Sequence, residues 1–267
     1  MEASAKAPPS WPVLLRDLYR FMAEREFVAS RNELIGAGFG PSRIKNWVRN
    51  GRLITVARSV YSFGRDVQTR EAVFRVALLL GGPGSALIGR SACEAHGLVK
   101  PKPGMPTLIE VGSPKGQARD FEGLSPVLRH TTFKVVKRNF EPTDLVSWKG
   151  LSLARAPLAL IDFALNAPDR AVRFAFLEAC RLNLFREQDL EYCFVRLVHR
   201  RGAAKLRPYL KLWAPELERI RSVFEGWFIL VWRQRGYPMP RVNQRVFGCE
   251  VDIFSPEHRF ALELDGD

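Results

Sequence analysis

From Ser30 to Gly64 the chain reads SRNELIGAGFGPSRIKNWVRNGRLITVARSVYSFG, and this stretch decides the fold. Ser30 followed by Glu33 is a capping-box pattern, which predicts a helix start at Ser30. Gly36-Ala-Gly-Phe-Gly40 then turns the chain. Pro41 suits the first turn of a further helix, PSRIKNWVRN, and Gly51 ends it. Ile44, Trp47 and Val48 share one face of that helix, while Arg43, Asn46, Arg49 and Asn50 point outward. The segment RLITVARSVYSFG is β-branched and aromatic, with a polar break at Ala57-Arg58-Ser59, and predicts a two-stranded ribbon. Upstream, Val13, Leu14, Leu18, Phe21 and Met22 fall at near-helical spacing over residues 11–24.

Helix, helix, turn, helix and ribbon is the order of a winged helix-turn-helix, expected over residues 11–65. A helix is narrow enough for the major groove of double-stranded DNA. The side chains predicted to meet DNA are Arg43, Lys45, Asn46 and Arg49 on the third helix, with Arg52 and Arg58 on the ribbon. The same pattern also fits a small helical domain whose charges only solvate it.

The 267 residues carry 41 Lys and Arg against 28 Asp and Glu, a net charge of +13 that attracts polyanions. That length predicts about two domains. Cys93, Cys180, Cys193 and Cys249 form no CxxC spacing and sit in apolar neighbourhoods, which predicts buried thiols in a reducing compartment and argues against zinc. The histidines are scattered and give no triad. Residues 1–10 read as a disordered tail lacking the apolar core of a signal peptide. The longest apolar run, AVFRVALLL, is broken by Arg75 and is too short to span a bilayer. The expectation is a cytoplasmic protein with no membrane partner.

Residues 66–215 read as a mixed α/β middle domain. Two helices over 70–99 are joined by Gly81-Gly-Pro-Gly84, which lacks the Lys-Ser/Thr of a phosphate-binding loop and reads as a connection. Strands are expected at TLIEVG, SPVLRHTTF and LVSWKGLSLA, and helices over 157–190, where Asp162 sits in an apolar stretch. FVRLVHRRGAAKLRPYLKLW reads as a basic helix pair broken by Gly202 and Pro208.

A last unit is expected over residues 216–267. ELERIRSVFEGWFILVWRQRG predicts an amphipathic helix ended by Gly236. CEVDIFSPEHRFALELDGD then folds into a hairpin with Pro256 and Glu257 in the turn. Period-2 alternation puts Val251, Ile253, Phe260, Leu262 and Leu264 on one side, and Glu250, Asp252, Glu263 and Asp265 on the other. Like charges on paired strands repel, so something must compensate them. Mg²⁺ (or Mn²⁺) on Asp252 and Glu263 would do so, and such an ion activates water and stabilises charge on a phosphodiester. A solvated acidic face is the other reading.

The segment SVFEGWFILVWRQRGYPMPRVNQRVFGCEVDIFSPEHRFALELDGD resembles the endonuclease domain related to very-short-patch-repair enzymes, in the restriction-endonuclease-like superfamily. The motifs are G-Y-P-x-P-x-V-N, G-x-E-V-D-I and P-E-H-R-x-A-L-E-L-D-G. The segment from FVASRNELIGAGFGPSRIKNWVRN through ALIGRSACEAHGL resembles the winged-helix region of AbiEi-type antitoxins and transcriptional regulators. Together these resemblances imply an α+β protein: a winged helix, a mixed middle, and the start of a restriction-endonuclease-like fold built from a helix plus a β-hairpin. They imply metal ligation by Asp252 and Glu263, an accessory acid in Glu225, and Asp265 where many such nucleases have lysine; Glu250 receives no role. Further chain follows the E-L-D-G strand in that family, so the resemblance implies an incomplete nuclease domain. It also implies a repressor alternative, with a cognate toxin and a homodimer among the partners.

Overall fold

The computed structural model describes residues 11–101, 107–116, 118–198 and 204–265. The expected tail, residues 1–10, and the expected helix break at Gly202 lie outside them. The chain is α+β and divides into two compact units. One comprises 1–87, 102–140 and 147–152; the other comprises 88–101, 141–146 and 153–267. The 66–215 stretch is therefore divided between the two. No helix among the described residues is long and apolar enough to cross a membrane.

The first unit opens with α1 (Trp11–Ala23), β1 (Val28–Ser30), α2 (Arg31–Gly36), α3 (Pro41–Arg49), β2 (Leu53–Ala57) and β3 (Val60–Phe63). The strands form an antiparallel sheet in the order β1-β3-β2, which with the helix order makes a winged helix-turn-helix. Ser30 caps α2 as its sequence predicts. Its hydroxyl accepts the Glu33 N–H, while the Glu33 carboxylate accepts the Ser30 N–H at 2.8 Å. Gly38 takes φ +88° in the turn before α3, a conformation that side chains resist. Leu18, Met22, Leu34, Phe39, Ile44, Trp47 and Leu53 are buried together as the core, with the Phe39 ring edge-on to Trp47 at 5.2 Å.

Helix α4 (Arg70–Gly81) packs on β1 and β3 and also on two strands of a second sheet, β5 (Thr107–Ser113) and β7 (Thr131–Lys137). Strands β5 and β7 run parallel, and β6 (Arg119–Glu122) lies antiparallel on the outer side of β7. The sheet order is β6-β7-β5-β4-β9-β8, where β4 is Ala86–Leu87, β8 Leu145–Trp148 and β9 Leu151–Ala154. The expected strand SPVLRHTTF begins only at Thr131, because residues 126–130 turn.

The second unit is mainly helical: α5 (Gly89–Ala95), α6 (Ala156–Asn166), α7 (Asp169–Arg181), α8 (Asp189–Leu197), α9 (Arg207–Lys211) and α10 (Val223–Gln234). Every residue of α6 from Ala156 to Ala164 is buried, Asp162 included, so this is a core helix. Pro208 opens α9 instead of breaking a helix, since a first-turn proline loses no helical hydrogen bond. The helix expected from Glu216 starts at Val223, capped by Ser222, after a 3-10 turn at Pro215–Glu218. At Gly226 a side chain would meet Ile220 at 2.7 Å and Leu177 of α7 at 2.9 Å, so glycine permits this close approach. The chain then forms an antiparallel sheet, β10 (Arg241–Val246), β11 (Cys249–Ser255) and β12 (Phe260–Leu262), in that order. Trp232 of α10 packs its ring against Phe260 at 5.7 Å, which seats the apolar side of the hairpin on the helix.

Truncating Trp47 to alanine empties the centre of the winged-helix core and should cost about 3–5 kcal/mol. Ser30→Ala removes one cap bond and should cost about 1 kcal/mol. Urea denaturation followed by circular dichroism measures both, and the order of the two effects is the expectation at stake.

Candidate nucleic-acid interface and the acidic hairpin

Helix α3 buries Ile44 and Trp47, which leaves Ser42, Lys45, Asn46 and Arg49 on its opposite side. These four line an open groove of about 560 Å³. Arg31 borders it from the start of α2, and Thr55 and Tyr61 border it from the ribbon, where they are paired across β2 and β3. Among the described residues no acidic side chain lines the groove. Its polar members supply guanidinium, ammonium, amide and hydroxyl donors, the chemistry that meets phosphates and base edges. Arg49 also stands in the last turn of α3, where the helix dipole favours a cation.

Of the six predicted DNA contacts, the groove gathers Lys45, Asn46 and Arg49, all exposed. Arg58 is exposed at the ribbon turn but borders a different cavity. Arg43 and Arg52 are half-buried and do not line the groove. Arg31 was missed by sequence reasoning. It sits one residue after the cap, and only the packing of α2 against α3 brings it to the groove.

The C-terminal sheet keeps the predicted faces. The register pairs Ile253 with Leu262 and Phe254 with Ala261, and Glu263 follows directly on the end of β12. One Asp252 oxygen accepts the Leu264 N–H at 2.8 Å. Glu225 is buried on α10, and its carboxylate accepts the Arg221 N–H at 2.9 Å and the Asn243 side-chain amide at 2.9 Å. Glu225 thus ties α10 to β10. Asp265 and Glu263 are exposed.

Charge compensation on this face comes from arginine. Arg221 donates to Glu250 at 2.5 Å, and Arg245 faces Glu250 across β10 and β11. Arg221, with Arg245 behind it, holds the Glu250 carboxyl below the usual carboxylate range. Glu225 and Asp252 also lie within electrostatic reach of Arg221. Among the described residues no group of three or more His, Cys, Asp and Glu is placed to hold a metal ion. Among these acids Glu225 is a buried anchor, Asp252 accepts a backbone N–H, and Glu250 has an arginine partner. Cys249, expected buried, is exposed, whereas Cys93, Cys180 and Cys193 are buried. Burial pushes the Cys193 thiol up to about 12 and raises Cys180 as well.

Because Glu250 is lowered by its partner, the pairing persists above the ordinary carboxylate range and is lost as pH falls through the depressed value. In Arg221→Ala the Glu250 carboxyl should return toward its ordinary value, read by NMR titration of its side chain. Glu225→Ala removes the acceptor of the part-buried Arg221 N–H and one of the two acceptors of the Asn243 amide, and should cost about 1–3 kcal/mol in urea denaturation.

No protein-family model matches the chain, and no curated protein sequence does. Among solved structures, the crystal structure of the Rv2827c protein from Mycobacterium tuberculosis aligns over 85% of this chain and 83% of that one, at 18% identity and a TM-score of 0.44.

Proposed function

We propose that the protein binds double-stranded DNA through its winged helix and acts as a sequence reader. The observation that carries this reading is the acid-free groove in which Lys45, Asn46 and Arg49 of α3 meet Arg31. Exposed side chains spaced along one helix side can reach successive base edges in the major groove. Arg31 and Lys45, flanking them, suit phosphates, and the net charge of +13 steers the chain to a polyanion. The antitoxin resemblance supports a repressor that controls its own operon. The burial of Cys180 and Cys193 as free thiols supports a reducing, cytoplasmic setting.

Fluorescence anisotropy on a pool of duplexes, followed by selection for a preferred site, tests the reading. Arg49→Ala should weaken the preferred site by about 1–3 kcal/mol and relax its sequence preference. Lys45→Ala should weaken all sequences alike and lower the slope of log affinity against log salt by about 0.9. A wild-type chain that fails to bind any duplex at low salt removes the proposal.

A second reading, Mg²⁺-dependent phosphodiester hydrolysis, rests on Asp252, whose carboxylate accepts the Leu264 N–H next to Glu263 at the acidic end of the hairpin. Plasmid cleavage with Mg²⁺ or Mn²⁺, abolished by Asp252→Ala and by Glu263→Ala with DNA binding intact, would establish it. Cleavage that survives both substitutions, or none with either metal, leaves binding alone.

A further inference from the structure

A second cavity of about 730 Å³ opens in the first unit, beside the DNA groove. It is walled by the start of α2, the ribbon turn, the end of α4 with the loop after it, β6, and the start of β9. Its size falls in the range of small-molecule sites.

The charges around it are unbalanced. Glu33 is the one acid in the lining, and it is engaged by Arg75 at 2.8 Å. That leaves Arg31, Arg58 and Arg119, none of which has an acidic partner among the described residues. They come from three separate elements and surround one opening. Behind them the wall is apolar: Leu78 and Leu79 of α4, and the Phe121 ring, which lies under the Arg119 guanidinium at 5.1 Å. Cationic donors over an apolar wall match a molecule with an anionic head and a flat apolar body.

The cavity also shares parts with the DNA groove. Arg31 lines both. Its backbone N–H donates to Ser59 in the ribbon turn at 2.8 Å, so the helix start and the ribbon turn are held together at the cavity wall. An anion seated against Arg31 would neutralise a charge that the DNA groove uses.

We propose that this cavity binds a small organic anion, a carboxylate or phosphate joined to an aromatic or similarly flat apolar body, and that occupancy weakens DNA binding through Arg31. The coupling half rests on the DNA-binding reading; the binding half does not.

The probe is anilinonaphthalene sulfonate, an aromatic anion that fluoresces when sequestered, titrated into the full chain without DNA. Saturable binding is expected, weakened about tenfold by Arg119→Ala, the equivalent of about 1.4 kcal/mol. Phe121→Leu should weaken it comparably, and added inorganic pyrophosphate or benzoate should displace it, the two competitors separating a phosphate from a carboxylate preference. Neither Arg119 nor Phe121 lines the DNA groove, so both variants should bind DNA like wild type. In the coupled assay, saturating probe should lower DNA affinity several-fold, and the effect should vanish in Arg31→Ala. If Arg119→Ala and Phe121→Leu, each with a wild-type urea midpoint, leave probe binding unchanged, the cavity is not the site and the proposal falls. Probe binding that depends on Arg119 but leaves DNA affinity unaltered overturns the coupling. If the chain binds no DNA while probe binding still needs Arg119, the reader hypothesis fails and the anion site stands.

Discussion

The Glu33 carboxylate is the fixed point of the first unit. It closes the cap of α2 by accepting from Ser30, and on its other oxygen it receives Arg75 of α4. The same Arg75 donates through its Nε to the Val28 carbonyl on β1 at 2.9 Å. One ion pair therefore joins the second helix, the first strand and the helix that carries the neighbouring sheet. Burial of the Arg75 side chain pulls its pKa down, and Glu33 opposes that shift, so the ion pair offsets part of the cost of burying the guanidinium. Helix α2 packs in turn on α3, which carries Lys45, Asn46 and Arg49. The second cavity is lined by both members of this ion pair, and Arg31, two residues before Glu33, reaches the α3 groove as well.

The elements that sequence reasoning recovered are those with local punctuation. Ser30 and Glu33, Pro41 and Gly51 mark the ends of α2 and α3 within a few residues of one another, and those ends are where they were expected. Strand β1 was missed because three residues are too few to display alternation, and its partner β3 lies some thirty residues on. Strand β6 was missed because Arg-Asp-Phe-Glu has the composition of a loop, and β7 alone makes it a strand. In β10, Asn243 adopts φ +50° and interrupts the alternation that would have revealed it.

The candidate sites follow the same division. Which residues share a strand face or a helix side is a matter of period, so the outward side of α3 and the acidic side of the hairpin were legible. Which residues from elsewhere meet them is a matter of tertiary packing. Arg31 and Arg221 were invisible for that reason, and each changes the chemistry of its neighbourhood. Arg31 joins the basic groove to a second cavity. Arg221 answers the charge on the hairpin, so Glu250 finds a guanidinium partner and Glu225 works as an internal brace between α10 and β10.

Exchanging helix glycines for alanine is a standard route to a sturdier protein, because alanine gains about 1 kcal/mol of helix propensity. Gly226 is an exception that a propensity table would not flag. A methyl group at that position would meet the terminal methyls of the buried Leu177 and Ile220 at under 3 Å, and both side chains would have to shift to admit it, which offsets the gain. Thermostabilisation of this chain should leave that position untouched and draw its gains from other sites.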